Sequence, residues 1–266
     1  MMHAAFVRNI AGTWRLRSRS AAQAYPSYAE ALRLCGDGYE SDDLARTVLA
    51  KTVAALEQDI SVMVAQHSTM ATLLAVLEAS AVCPDPVRVL DFGGAFGVAY
   101  FLIRQKGIPT ARWAVVESSS FTRHRRSLES DSLRFFDRVS DAVAWLGEVD
   151  LLYSSSALQY TPNPERSLGE LIAMTPRVLG LLRCALSRGD RIITIQSSRL
   201  SENGPGPLPD GFIDREVRYP ITFMRDADLL KATRHYRLLI HSDLAVQRQT
   251  IAGQPLVSGE AFIWRA

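Results

Sequence analysis

The sequence lacks the features that would place it in a membrane, a disulfide framework or a nucleic-acid complex. No apolar run among its 266 residues is long enough for a transmembrane helix. The three cysteines, Cys35, Cys83 and Cys184, are scattered, which excludes zinc spacing and argues against a disulfide framework. The net charge of +2 gives no electrostatic basis for binding nucleic acid. We therefore expect a globular protein of the reducing cytoplasm, with no nucleic-acid partner and no integral membrane segment.

The first twenty residues also lack the uninterrupted apolar stretch of a secretory signal, because arginines interrupt it. Residues 1–20 could contact a membrane surface as a basic amphipathic segment, although a helix docked on its own domain is the simpler interpretation. The chain length suits one α/β domain with an extension. We predict a helical N-terminal extension or cap over residues 1–82 and an α/β domain over residues 83–266.

What the chain does contain is a strand, a glycine turn and a helix in direct succession. Residues 87–92 are typical of a buried strand, and residues 98–105 have helical spacing. Such a unit is the opening half of a nucleotide-binding βαβ fold, because glycines let a ligand approach the backbone and the helix start offers unpaired N–H groups. The turn residues predicted to bind a cofactor are Gly93, Gly94, Ala95 and Gly97.

The acidic residue ahead of this turn indicates which ligand it receives. Asp91 ends the strand, where a carboxylate would repel the pyrophosphate of a dinucleotide. A positively charged ligand would be favoured there instead. S-adenosylmethionine (SAM) carries a sulfonium and an ammonium group, so Asp91 is expected to face its amino-acid end directly or through water. A dinucleotide fingerprint would also need a Gly-x-Gly-x-x-Gly spacing that this turn does not have.

Two further acidic positions follow at the ends of the next predicted strands. Glu117 lies about 20 residues past the glycine turn, where a carboxylate accepts hydrogen bonds from ribose hydroxyls. Ser118 follows it and is included in the predicted cofactor site. Asp137 or Asp141 is expected near the adenine edge.

The fourth predicted strand ends in small polar residues and an aromatic. In open α/β sheets ligands bind at the carboxyl ends of the strands, so this segment is expected beside the reacting atoms. This segment resembles motif IV of class I methyltransferases, and the resemblance implies that Ser154, Ser155, Gln159 and Tyr160 line the methyl-donor pocket or touch the acceptor.

Hydrophobic periodicity predicts the remaining elements. Helices are expected over residues 41–66, 69–79 and 177–186. Further strands are expected over residues 112–116, 133–136, 150–154, 191–196, 236–244 and 259–264. The alternation predicts an α/β fold with a mostly parallel, seven-stranded central sheet.

Several of these motifs together resemble known methyltransferases. The Asp-x-Gly-x-x-x-Gly turn resembles motif I of class I SAM-dependent methyltransferases, with Ala95 where the fuller pattern has a third glycine. A small bacterial family of methyltransferases is similar in residues 28–32, in Gly38-Tyr39, in the Leu-Asp-Phe-Gly-Gly stretch 90–94 and in Tyr219-Pro220. The resemblance implies a Rossmann-like fold with a reversed last strand, SAM as cofactor, and a small-molecule or glycan-precursor acceptor.

Methyl transfer from a sulfonium needs a base only when the acceptor loses a proton during attack. His67, in a polar break between predicted helices, and Tyr160 are the predicted catalytic residues, and His241 is a weaker candidate. No metal site is predicted, because histidines and acidic residues do not fall at ligand spacing. Two alternatives stay open: a SAM-binding protein that has lost catalysis, and an NAD-dependent oxidoreductase, which Asp91 disfavours.

Overall fold

The fold is described from a computed structural model of the chain. The structure describes residues 23–83, 85–244 and 246–266. The predictions for residues 1–20 lie outside these ranges. Within the ranges, no helix combines the length and the apolarity needed to cross a bilayer.

The described helices and strands alternate along most of the chain. The α-helices are α1 (Tyr28–Arg33), α2 (Asp42–Leu56), α3 (Gln66–Val82), α4 (Val98–Gln105), α5 (Ser119–Thr122), α6 (Val139–Leu146), α7 (Pro164–Ile172) and α8 (Asp226–Ala232). The strands are β1 (Val87–Phe92), β2 (Thr110–Val116), β3 (Leu133–Phe136), β4 (Leu151–Ser155), β5 (Val178–Ser187), β6 (Ile192–Arg199), β7 (Glu216–Arg225), β8 (Arg237–Ser242), β9 (Gln247–Ile251) and β10 (Gln254–Arg265). Short 3-10 turns lie at Gly38–Glu40, Ile60–Val62, Arg125–Ser127, Leu158–Tyr160 and Leu200–Glu202.

The central sheet has the strand order β3-β2-β1-β4-β5-β10-β8. The first five of these strands run parallel, and β10 runs antiparallel to both β5 and β8. The predicted mostly parallel α/β sheet, reversed in the strand that comes last in the sequence, is confirmed. Chain order reverses between β1 and β4, and the carboxyl ends of strands at such a reversal are where open α/β sheets bind ligands.

Helices cover both faces of this sheet, and β1 contributes to both cores. Val87 and Val89 pack in the cluster that also holds Ala75 of α3 and Ile103 of α4. Leu90 packs in the opposite cluster, with residues of α6, α7 and α8. Because side chains alternate along a strand, Asp91 lies on the same face as Val89, beneath α3 and α4.

One predicted helix is in fact the central strand β5. The prediction of a helix over residues 177–186 was wrong, since residues 178–187 pair with β4 on one side and β10 on the other. Nearly every residue of β5 is buried, because both faces of the strand are covered. Such a strand is a nearly continuous hydrophobic run in the sequence, without the alternation of a half-exposed strand. The predicted fifth strand, near residues 191–196, exists as β6, but it pairs antiparallel with β7 and lies off the main strand order.

The predicted helix over residues 41–66 is broken in two. Helix α2 ends at Leu56, and α3 begins only at Gln66. Between them the side chain of Gln105, at the end of α4, accepts a hydrogen bond from Ile60 N–H at 2.9 Å. Ile60 is fully buried and packs with Leu102 of α4. Anchoring this residue on another helix outweighs the local preference for continuous helix.

Candidate functional site

Three residues of the turn between β1 and α4 have the left-handed backbone conformation. Gly93 and Gly97 have φ values of 72° and 75°, and Ala95 has a φ of 48°. The Gly93 N–H donates to Val116 O of β2 at 2.8 Å, which fixes the start of the turn. A Cβ added to Gly94 would overlap the carboxylate of Asp91. The turn therefore lies directly on the Asp91 side chain.

Asp91 is fully buried beneath this turn, so it does not contact solvent above it. Its Oδ2 accepts a hydrogen bond from the indole N–H of Trp113 at 3.0 Å. Its Oδ1 is buried and has no hydrogen-bond partner among the described residues. Burial raises the pKa of Asp91 to about 7; the Trp113 bond opposes this rise and the nearby Glu117 adds to it.

Glu117 connects the end of β2 to the glycine turn. Its Oε1 accepts from Ala95 N–H at 3.1 Å, and its Oε2 accepts from Ser118 N–H at 2.8 Å. Burial raises the pKa of Glu117 to about 7, although both backbone bonds oppose that rise. Each oxygen of a carboxylate has two lone pairs, so each can accept one further hydrogen bond. Glu117 is thus placed beside the predicted cofactor turn with acceptor capacity left.

Ala95 holds a conformation that glycine adopts more easily, since an L-residue in the left-handed region is strained by about 1–2 kcal/mol. We expect Ala95→Gly to raise the free energy of unfolding by about 0.5–1 kcal/mol, because relief of strain exceeds the added unfolded-state entropy. Ala99→Gly, inside α4, is the control and should lower that free energy by about 1 kcal/mol. Urea titration of both variants measures the difference, and equal destabilisation by both would show that Ala95 is unstrained.

The predicted site residues after β4 are mostly engaged by the protein itself. Ser154 donates to Phe92 O at 3.0 Å, which joins β4 to the end of β1. Ser155 ends β4 and is partly buried. The Gln159 amide donates to Ser156 Oγ at 2.9 Å and to Arg183 O at 3.1 Å. Gln159 therefore contacts β5.

Tyr160 belongs to a cluster of tyrosines beside the predicted cofactor site. Its ring centroid lies 4.8 Å from that of Tyr39 and 5.2 Å from that of Tyr219. Its hydroxyl donates to Gln196 Oε1 at 3.1 Å. Burial, with Tyr219 nearby, raises the pKa of Tyr160 well above its ordinary value. Tyr160 is thus suited to donate a hydrogen bond and is a poor base.

The remaining predicted residues lie at the edges of this region. Asp137 is exposed and accepts a hydrogen bond from Thr122 Oγ1 of α5. His67 is exposed to solvent in the first turn of α3, and partial burial of its ring, followed by the charge of Arg183, lowers its pKa. In the described part of the chain, no group of three or more His, Cys, Asp and Glu residues could hold a metal ion.

The structure thus brings the predicted residues together as two neighbouring groups. The first group holds Asp91, Gly93, Gly94, Ala95, Gly97, Glu117 and Ser118. The second group, at the ends of β4 and β5, holds Gln159 and Tyr160 with three residues that the sequence prediction missed: Tyr39, Arg183 and Tyr219. An arginine inside the apolar run of residues 178–187 was the available signal for Arg183, but a helix had been predicted there.

No protein-family model matches the chain, and no curated protein matches it. Among solved structures, it is similar to the N-terminal domain of EvdMO1 with S-adenosylhomocysteine (SAH) bound, at 13% identity over 74% of this chain and 81% of that chain, with a TM-score of 0.44. It is also similar to SAM-bound CalS10, an amino pentose methyltransferase from Micromonospora echinaspora involved in calicheamicin biosynthesis, at 14% identity over 72% of this chain and 89% of that chain, with a TM-score of 0.39. A third is the cyclase SpnF, at 14% identity over 92% and 98%, with a TM-score of 0.48.

Proposed function

We propose that this chain binds SAM and transfers its methyl group to a small-molecule or sugar acceptor. The observation that carries the proposal is the fully buried carboxylate of Asp91, whose Oδ1 has no partner among the described residues. An unpaired buried charge is unfavourable unless a compensating charge approaches it. A positively charged ligand above the turn supplies that compensation.

The charged groups beside the glycine turn fit SAM better than they fit a dinucleotide. Asp91 and Glu117 place two carboxylates at the start of α4, where a pyrophosphate would be repelled. In this proposal Asp91 acts on the cation through its field across the turn, the backbone of Gly93 to Ala95 receives the ligand, and Glu117 accepts from the ribose hydroxyls. When bound, SAM supplies an already activated methyl group for an in-line displacement.

The chain's own residues would then align the acceptor and exclude water. Tyr39, from the 3-10 turn before α2, packs on Tyr160 and Tyr219, with a centroid distance of 4.6 Å to the latter. Tyr28 of α1 donates to Tyr160 O at 2.6 Å. We propose that the helices before residue 83 form a cap over the α/β domain that follows. His67, whose pKa is lowered by partial burial and then by the charge of Arg183, is the proposed base for acceptors that lose a proton.

Calorimetric titration with SAM, SAH and NAD tests the proposed cofactor. We expect SAM and SAH to bind and NAD to give no heat beyond dilution. Binding of NAD alone would support an oxidoreductase instead. Binding of none of the three would contradict the proposal. Incubation with SAM, nucleotide sugars and small phenols, with products detected by mass, then searches for the acceptor and distinguishes an active enzyme from a protein that only binds SAM.

Glu117→Gln tests the ribose role. We expect the variant to fold but to bind SAH about 10- to 100-fold more weakly, since hydrogen bonds to a charged group contribute about 1.5–3 kcal/mol. The matched control is Glu57→Gln, which changes an exposed residue just after α2 and should leave the affinity unchanged. Equal affinities for the two variants, measured by calorimetry, would place the ribose partner elsewhere.

A further inference from the structure

Helix α3 runs antiparallel to β5 and presents its first turn to the carboxyl end of that strand. Near the other end of both elements, Glu78 of α3 pairs with Arg265 at 2.9 Å, and Arg265 lies beside Val178, the first residue of β5. Midway, a Cβ added to Gly180 would lie 3.0 Å from the Cβ of Ala75, so helix and strand touch there. These two contacts fix the direction of α3 along β5.

The same contacts place Ser68 opposite Arg183. Ser68 precedes Ala75 by seven residues, about 10 Å along an α-helix. Arg183 follows Gly180 by three residues, about 10 Å along a strand. Ser68, Thr72 and Ala75 are all buried on the side of α3 that faces the sheet. The first turn of α3 therefore lies over Arg183.

The first turn of α3 offers N–H groups that have no partner within the helix. The residue before it, Ala65, has no side chain that could cap the helix, and the first turn carries no acidic residue. The opening N–H groups of a helix lack partners within the helix and attract anions. Ser68 is only 7% exposed, and its Oγ has no hydrogen-bond partner in the described ranges; the buried Thr69 Oγ1 has none either. Two buried hydroxyl donors thus stand beside the helix start.

Arg183 occupies a strained position on β5. Its φ is 56°, and the pairing of β5 with β10 shifts register there. The loop after β4 holds this bulge, since Gln159 donates to Arg183 O and Ser156 N–H donates to Leu182 O at 2.8 Å. Left-handed non-glycine residues cluster at functional sites, where surrounding structure maintains them. The charge of Arg183 acts on His67 of α3 and on the tyrosines of the second group.

Charge is consequently divided between the two groups. Asp91 and Glu117 lie at the ends of β1 and β2, and Arg183 lies in the bulge of β5, next to Leu182, which pairs with the last residue of β4. Tyr153 of β4 stands between them: Asp91 raises its pKa and Arg183 lowers it, with burial the largest cause of the rise. One end of the site favours a cation, and the other favours an anion.

We propose that the first turn of α3 and Arg183 bind a carboxylate or phosphate group of the methyl acceptor, whose ring packs against Tyr39 and Tyr160, with the buried Tyr219 supporting both. This inference rests on the proposed function and names the class of its acceptor: an acidic small molecule with an aromatic or sugar ring. The N–H groups of α3, the hydroxyls of Ser68 and Thr69 and the guanidinium supply convergent donors for the anion.

The test uses benzoate and phenyl phosphate as probes, with benzyl alcohol as the neutral analogue. Each is titrated into the SAH-loaded protein, and ligand-detected NMR gives the affinity. We expect at least one anion to bind tenfold or more tightly than the alcohol. Arg183→Met and Ser68→Ala should each reduce that advantage at least threefold, while Arg126→Met, at an exposed arginine, should leave it unchanged. Ser68→Ala removes only an unpartnered hydroxyl, so it keeps the test valid if Arg183→Met does not fold.

The outcomes separate this inference from the proposed function. Equal affinity for the anions and the alcohol would overturn the inference. A tenfold loss of SAH affinity in Arg183→Met would also overturn it, because the site would then serve the cofactor's own carboxylate. Failure of the wild-type protein to bind SAH would instead contradict the proposed function. In that case the anion titration of the protein alone still decides whether the anion site exists.

Discussion

Replacing Asp91 by asparagine is expected to stabilise the folded chain above pH 7 and to weaken its affinity for SAM. The two effects have the same cause. A buried carboxylate with one unpaired oxygen opposes folding once it is ionised, and the same charge favours a cation near the glycine turn. The amide is nearly isosteric, and its oxygen can still accept from Trp113.

The pH dependence of stability follows from the raised pKa of Asp91. Well below pH 3.8 the group is protonated in both the folded and the unfolded state and contributes nothing to the change of stability with pH. Between the ordinary value of 3.8 and the folded value of about 7, the folded state holds a proton that the unfolded state has lost, so stability falls as pH rises. Above pH 7 the loss is complete and amounts to about 4 kcal/mol. Asparagine does not titrate, so the variant should lack this decline.

Urea titrations at pH 5 and pH 8 measure this difference. The wild-type protein should lose about 2–4 kcal/mol more than Asp91→Asn between the two pH values. The control Asp131→Asn, at an exposed position, should behave as the wild type does. Calorimetry at pH 8 should show SAM affinity in Asp91→Asn reduced about tenfold or more. A variant that is less stable than the wild type at pH 8 would show that Asp91 serves the structure and not a ligand.

The unit from β1 to α4 could be predicted from the sequence because its determinants are local. A buried strand, glycines at left-handed positions and an amphipathic helix follow one another, and each element is specified by its own residues. The same reasoning predicted Glu117 at the end of the second strand. One helix and its loops set the number of residues between the glycine turn and that strand. The sequence could not predict that Gly94 packs directly against the carboxylate of Asp91. It also could not predict the hydrogen bond that Ala95 N–H donates to Glu117.

The second group could not be predicted because its determinants are non-local. An apolar run buried on both faces looks the same as a helix segment, and only pairing with β4 and β10 makes residues 178–187 a strand. Because residues 177–186 were predicted as a helix, the sequence did not place Arg183 in the sheet. Gln159 was predicted to line the methyl-donor pocket or to touch the acceptor, and the sequence could not show that its amide donates to the carbonyl of Arg183 in the bulge of β5.

Gly93→Ala is expected to cause a large loss of both stability and SAH binding. The residue has a φ of 72°, and an added Cβ would overlap the Cβ of Ala157 in the loop after β4. Strain of the left-handed conformation contributes about 1–2 kcal/mol, and overpacking adds about 1–3 kcal/mol. The glycine turn and the loop after β4 would have to separate, which would displace the backbone proposed to receive SAM.

Gly107→Ala is the matched control that separates these two causes. Gly107 has a φ of 71°, and an added Cβ would meet nothing within 4 Å. The control therefore carries the conformational strain without the overlap and should lose only about 1–2 kcal/mol, with SAH affinity retained. Chemical unfolding and calorimetry compare the variants directly. If the two variants lose the same stability and both bind SAH, the loops that carry Gly93 and Ala157 can move apart at little energetic cost. The contact between these loops would then not be needed to maintain the proposed cofactor site. A larger loss of stability in Gly93→Ala, with SAH binding abolished, would mean that the contact between the loops after β1 and β4 maintains the proposed binding surface for SAM.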